Sequence, residues 1–410
     1  MAVVRPGPVR GTDESHRVTT LELFFDLVFV FALTQVTALL AGDPTPQGAL
    51  RGVLVLAILW WAWTGFTWLG NVVRVDEGVV RVVLVAVMGA MLVLSMAIPE
   101  AFTDGGDTTL SGPLVFAVAY LAVRALHLVA FAFVGRGDPA LRATLVRFAV
   151  PVALGTTLLV VAASTDGAVQ TALWALALAL DYGLVWLIGP GGWRVASPAH
   201  FAERHGLVVI IALGESIVAI GVGAEGLPLT WPVVLAANLA LVVLVGLWWM
   251  YFDVVALVAE RRFAATADGP ERVALARDSY TYLHFPMVAG IVFLALGLKK
   301  ALGHVGDLEG TDIADGAGLH GVPLWALYGG VTVYLLAHVA FRLRNIGSVN
   351  RQRVVLAVVL VALVPAVDRL AAVGQLAVLA ALVLVLVGYE TFGFRHWREQ
   401  VRAASSPTAA

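Results

Sequence analysis

The chain has 410 residues, of which 60% are hydrophobic and only 13% charged, with a formal net charge of −2. A soluble globular protein carries about 25% charged residues, so the composition excludes a soluble domain, and the near-neutral balance excludes a broad nucleic-acid-binding surface. Cysteine is absent, which removes disulfides, thiolate metal sites and cysteine nucleophiles.

The first 20 residues are polar and contain arginine, with no apolar core and no small-residue cleavage site. The first span is therefore expected to serve as its own insertion signal. A helix needs about 20 apolar residues to cross a bilayer. Twelve stretches meet that requirement: 20–41, 49–70, 79–99, 112–134, 142–163, 168–188, 205–223, 231–252, 281–299, 322–342, 353–371 and 374–392; a ten-span count, with a pair of segments fused or re-entrant, is the alternative. The expected fold is an all-α polytopic membrane protein. Its order is an N-terminal segment 1–19, a first six-helix repeat 20–188, a linker 189–204, a second six-helix repeat 205–392 and a tail 393–410. In the linker, Gly189-Pro190-Gly191-Gly192 breaks the sixth helix, and Ser197 with Pro198 reads as the N-cap and first residue of the next. The stretch 254–280 is mixed in charge and is expected to form a surface helix.

Charge sets an orientation. With the N-terminus in the cytoplasm, most of the 26 basic residues fall on the inner side, Arg74, Arg81, Arg204, Arg261, Arg262, Arg342 and Arg353 among them. The outer loops are acidic instead, with Glu100, Asp104 and Asp107 in one and Asp307, Glu309, Asp312 and Asp315 in another. Both termini are expected in the cytoplasm of a bacterial cell, with the chain in its inner membrane.

The two halves echo one another. Ala32-Leu33-Thr34-Gln35 parallels Ala212-Leu213-Gly214-Glu215, and Leu59-Trp60-Trp61 parallels Leu247-Trp248-Trp249. Tyr120, His127 and Phe131 parallel Tyr334, His338 and Phe341, and Asp181-Tyr182 parallels Tyr389-Glu390. The matches are collinear, which is the mark of a duplication. Six helices per copy make the two repeats parallel, and the interface between such repeats commonly carries a substrate path.

Three blocks resemble a known family. Thr20-Leu21-Glu22-Leu23-Phe24-Phe25-Asp26-Leu27-Val28-Phe29-Val30 is similar to the opening signature of the bacterial low temperature requirement A family. Glu203-Arg204-His205-Gly206-Leu207, leading to Gly214-Glu215-Ser216, resembles its second signature. His284-Phe285-Pro286 with Gly297-Leu298-Lys299-Lys300 resembles its third. The resemblance implies a multi-span bacterial membrane protein linked to growth in the cold, with no assigned biochemical activity. A fainter likeness joins the chain to organellar and bacterial potassium channels, whose repeats open on Phe-Ser-Asp; here Phe25 takes the place of the serine.

Ionisable residues inside spans are costly and mark candidate sites. At about 1.5 Å of rise per residue, Asp26, His127 and Asp181 lie on the order of 10 Å deep on the inner side, while Glu215 and Arg124 lie near the midplane. Glu22 and Asp26 share a helix face, as do Tyr120, Arg124 and His127. By depth, Asp26 is matched with His127, and Arg124 with Glu215 or Asp26. Glu22 reads as a helix cap near the interface. Gln35, Ser216, Tyr120, His338, Lys299 and Lys300 are secondary candidates. Trp60, Trp61, Trp63, Trp68, Trp248 and Trp249 read as belt or packing residues.

No phosphate-binding loop, His-Glu-x-x-His helix or nucleophile elbow is present, so neither an enzyme nor a cofactor is expected. His304 and His320 with Asp307, Asp312 and Asp315 read as a solvated acidic loop rather than a metal site. Two readings of function stay open. One is a transporter or channel for protons or a small ion. The other is a non-transporting scaffold, sensor or stress-related assembly factor whose intramembrane charges are structural pairs. The lipid bilayer is the one partner the composition names, and nothing in the residues points to a particular oligomeric state.

Overall fold

A computed structural model describes residues 11–14, 16–103, 110–137, 139–189, 193–306 and 318–403. Asp104, Asp107, Pro190, Gly191, Gly192, Asp307, Glu309, Asp312 and Asp315 lie outside the described residues. The structure is 84% helical, with no strand among those residues. Among the described residues, eleven helices are long and apolar enough to cross a membrane. The chain is an all-α polytopic membrane protein.

The long helices run in order as α1 (Thr20–Gly42), α2 (Pro46–Val72), α3 (Gly78–Met96), α4 (Gly112–Val134), α5 (Pro139–Ala162), α6 (Gly167–Ile188), α7 (Pro198–Gly223) and α8 (Trp231–Phe252). The short helices α9 (Val255–Ala265) and α10 (Pro270–Leu275) follow, then a π-helical turn at Ala276–Tyr282. After them come α11 (His284–Gly306), α12 (Gly321–Ile346), α13 (Arg351–Val367), α14 (Ala372–Gly393) and α15 (Arg395–Ala403). The eleventh expected span, 353–371, is α13; at 17 residues it is the one expected span missing from the eleven. The stretch 254–280 does contain a helix, but α9 is not simply laid on the surface, because Val255, Ala259 and Phe263 on it are buried.

Local chemistry sets several helix ends. Thr19 Oγ1 accepts from Glu22 N at 3.3 Å, and Glu22 Oε2 accepts from Thr19 N at 2.9 Å. This reciprocal capping box starts α1. Ser197 Oγ accepts from His200 N at 3.2 Å and Pro198 takes the first helical position, so α7 begins inside the stretch 189–204 read as a linker. Gly347, at φ +73°, ends α12 with its N–H donating to Leu343 O.

The helices sort into two compact units. The first comprises Met1–Leu39, Gln47–Arg204 and Thr266–Ala276; the second comprises Leu40–Pro46, His205–Ala265 and Arg277–Ala410. In the first, α3 packs on α4 and α5 on α6. In the second, α11 packs along α12, and α8 along α14. The α11–α12 contact depends on glycine: a Cβ at Gly330 would stand 2.6 Å from Gly290 O and from Leu294 N, and one at Gly297 would stand 2.6 Å from Leu327 Cα. Small residues let membrane helices approach this closely.

Candidate functional site

The first unit places a two-rung ladder of charge between α1 and α7. Glu22 and Asp26 are four residues apart on α1; His200 and Arg204 are four apart on α7. Equal spacing on two helices lets each acid meet one base. His200 Nε2 lies 3.0 Å from Glu22 Oε1, and Arg204 Nη1 donates to Asp26 Oδ2 at 2.8 Å. All four side chains are buried. The second oxygen of Asp26 accepts from Trp63 Nε1 of α2 at 2.9 Å, and the Arg204 guanidinium stands 5.4 Å from the centre of the Trp63 ring. Arg204 Nε has no hydrogen-bond partner among the described residues.

The ladder is framed by polar backbone contacts. Glu22 Oε2 accepts from both Thr19 N and Thr19 Oγ1, which leaves Oε1 for His200. Asn71 of α2 donates to Ser197 O at 2.6 Å and accepts from Ala196 N at 2.8 Å, fixing the start of α7. Ser197 Oγ donates to His16 O at 3.2 Å, and the His16 ring packs on the His200 ring with centroids 4.7 Å apart. Burial first, and the neighbouring His200 second, hold the His16 imidazole below its ordinary range.

A separate centre lies between α4 and α6 of the same unit. Arg124 Nη2 donates to Asp181 Oδ1 at 3.1 Å, and Tyr120 Oη donates to Oδ2 at 3.1 Å. Arg124 Nε has no hydrogen-bond partner among the described residues. Two expected pairings are thus corrected. Arg124 takes Asp181 rather than Asp26, and Asp26 takes Arg204 rather than His127. His127 Nε2 instead lies 3.0 Å from Gly65 O, with its ring against Phe66 and Phe131. Glu22 caps its helix, and it is also buried and paired with His200.

The second unit holds a third centre. Arg353 of α13 grips Glu390 of α14 through both oxygens, Nε to Oε1 at 2.8 Å and Nη2 to Oε2 at 2.7 Å. Its Nη1 donates to His338 Nδ1 of α12 at 2.6 Å, and Gln352 adds a bond to Oε1 at 3.0 Å. A cavity of about 310 Å³ opens beside this cluster, lined in part by Arg342, Arg353, Arg398, Asp253 and Glu390. Asp253 is paired with Arg398 and Arg402. The remaining sequence candidates are spread out. Glu215 and Ser216 are buried on α7, Gln35 is half-buried on α1, and Lys299 and Lys300 are half-buried on α11.

Sequence reasoning passed over His200 and placed Arg204 and Arg353 among solvated inner arginines. The signal for the first two was present in the Ser197-Pro198 cap. A helix starting at 198 carries residues 200 and 204 on one face, with the same spacing as Glu22 and Asp26.

A family model for the bacterial low temperature requirement A protein matches residues 17–388. An uncharacterized protein of Rhizobium meliloti (strain 1021) is 34% identical over 310 residues, covering 72% of this chain and 71% of the relative. No solved structure matches. The match takes in the α1–α7 ladder, the Arg124–Asp181 pair and Arg353 of the third centre, and on that coverage the chain belongs to the bacterial low temperature requirement A family.

Proposed function

We propose that this protein is a transporter or channel for protons or a small ion, and that the Asp26–Arg204 pair is its ion-handling element. One observation carries the reading: Asp26 and Arg204 are buried at 1% exposure each, joined by one nitrogen–oxygen contact, with Arg204 Nε left over. Such a pair is a poor way to stabilise a fold. Desolvating two charges costs several kcal/mol per ion, and apolar side chains of similar size commonly do better. A costly ionised pair in a membrane protein is by default a functional site. Chemically it works as a switch: protonating Asp26 leaves Arg204 without a counter-charge and forces it towards another acceptor or towards water. Arg124–Asp181 is a second element of the same kind, and Glu215 is the further acid in this reading. The arginine distribution supports an inner-membrane orientation with both termini cytoplasmic.

Reconstitution in liposomes tests it. Proton and monovalent-cation flux is expected from the wild type and is expected to be lost in Asp26→Asn, a change that keeps the size of the side chain and the Trp63 contact. Absence of flux in the wild type, or equal flux in the variant, sinks the reading. The Arg353–Glu390 fork favours a second reading, a non-transporting membrane scaffold or sensor held by structural pairs, because every Arg353 nitrogen there is engaged. That reading predicts loss of thermal stability in Asp26→Asn with no flux in either protein.

A further inference from the structure

We propose that His16, Glu22 and His200 form a binding site for a borderline divalent transition-metal ion of the zinc class. Each residue offers one ligand atom, and these atoms lie within 4.8 Å of one another. Two imidazoles and a carboxylate are a nitrogen–oxygen donor set that suits Zn²⁺ or Co²⁺ better than Mg²⁺ or Ca²⁺, which take oxygen. Three protein ligands also leave a coordination position open, the arrangement of zinc sites that accept water or a further ligand.

Further observations point to a ligand at this place. His16 Nε2 is buried and has no hydrogen-bond partner among the described residues. Buried polar atoms are nearly always satisfied, so an orphaned imidazole nitrogen beside a second histidine and a carboxylate calls for an acceptor of its lone pair or proton. The carboxylate is already oriented: Thr19 holds Glu22 Oε2 at 2.9 Å through its N–H, and Oε1 is presented to His200. Such outer contacts are what aim a ligand at a metal. Gly70 of α2 completes the cradle, because a Cβ there would stand 2.5 Å from Glu22 Oε1. Only glycine leaves the carboxylate where it is.

The geometry needs one adjustment. With metal–ligand bonds of about 2.0–2.2 Å, tetrahedral donors stand about 3.4 Å apart. Glu22 and His200 already meet at 3.0 Å. The closure falls to His16, which lies on the non-helical segment ahead of α1 and is free of helix geometry. The ion would then tie that segment to the first turns of α1 and α7. No sequence spacing announces this site, because its ligands come from three separate segments.

The test uses the full-length protein in detergent, stripped of metal and carrying no polyhistidine tag. Co²⁺ is titrated while its visible d–d absorption is followed, Zn²⁺ is added in competition, and thermal midpoints are read with and without Zn²⁺. One saturable Co²⁺ per chain is expected beyond what His16→Ala binds, with absorption displaced by Zn²⁺ and a midpoint raised by Zn²⁺. His16→Ala is expected to weaken Co²⁺ binding by more than about tenfold and to abolish the Zn²⁺-dependent shift. It is the decisive variant, since His16 Nε2 makes no hydrogen bond among the described residues. Gly70→Ala is expected to weaken binding through Glu22. Non-saturating uptake, or equal Co²⁺ affinity in wild type and His16→Ala, overturns the proposal. Neither result depends on whether the protein conducts ions.

Discussion

Two buried arginine–carboxylate pairs, one in each unit, are built differently. Arg353 engages both oxygens of Glu390 through Nε and Nη2, gives its remaining nitrogen, Nη1, to His338, and donates from Nη2 to the Met250 carbonyl as well. Arg204 touches a single oxygen of Asp26, shares that carboxylate with Trp63, and has one nitrogen left without a partner among the described residues. A fully satisfied buried network fixes one geometry; a partly satisfied one stays costly and open to exchange. Four glycines differ in the same sense, although Gly112 of the first unit faces the Glu100 carbonyl and Gly246 of the second faces the Val383 side chain. In the second unit, a Cβ at Gly330 or Gly297 would meet backbone of the neighbouring helix. In the first, a Cβ at Gly65 or Gly70 would meet the side chains of His127 and Glu22. The Arg353–Glu390 pair is therefore a lock, and the Asp26–Arg204 pair is the less fully satisfied of the two.

Breaking the lock gives the largest expected effect. Glu390→Gln strands a buried guanidinium and is expected to cost about 3–5 kcal/mol, read as a steep fall in thermal midpoint in detergent. The double variant Arg353→Met with Glu390→Leu is expected to recover most of that loss, since apolar replacement of a buried pair is often near neutral. A double variant as unstable as the sum of its singles removes the description of this pair as a lock. Asp26→Asn strands Arg204 in the same way but breaks one contact to it rather than two, so it is expected to cost less, about 3 kcal/mol, at the low end of the same range. Its main signature is the loss of flux. If Asp26→Asn destabilises as much as Glu390→Gln and wild-type flux is absent, the two centres are alike and both are structural.

The glycine contrast is tested next. Gly330→Ala forces two helix backbones apart and is expected to cost about 1–3 kcal/mol, the usual range for overpacking. Gly65→Ala meets the His127 ring at 3.0 Å, a side chain rather than the backbone of a neighbouring helix. Its stability loss is expected to be smaller than that of Gly330→Ala under the same denaturation assay. Equal losses dissolve the contrast between backbone and side-chain neighbours.

The spans were legible because hydropathy alone sets them, and so was the cap at Ser197, because a hydroxyl followed by proline has few other uses at a helix start. The partners of the charges were not legible. Positive-inside counting assigns an arginine at or beyond the inner end of a span to the cytoplasmic surface, so it sent Arg204 and Arg353 there although both are buried. Depth failed for a different reason. Arg124 and Asp181 differ by about three residues of estimated depth, roughly 4.5 Å of rise, which assigned them to separate levels. An arginine stem spans that distance easily. Residue levels along one axis also carry no information on which helices are neighbours, and that is what joins α1 to α7 and α4 to α6.

Glu22 gives the finest test of the first unit, because its two oxygens have different partners. Oε2 belongs to the capping box with Thr19; Oε1 faces His200. Thr19→Ala removes the side-chain half of the cap and is expected to cost about 1 kcal/mol, with Thr19→Ser restoring the wild-type midpoint. Glu22→Gln disturbs the cap and also strips His200 of its carboxylate, so it is expected to cost more than Thr19→Ala. The difference between those two variants isolates the rung to α7. Equal losses would mean that the His200 contact contributes nothing and that Glu22 is a helix cap alone. A clear excess for Glu22→Gln, absent when His200 is already replaced, would establish that α1 and α7 are joined through both rungs of the ladder.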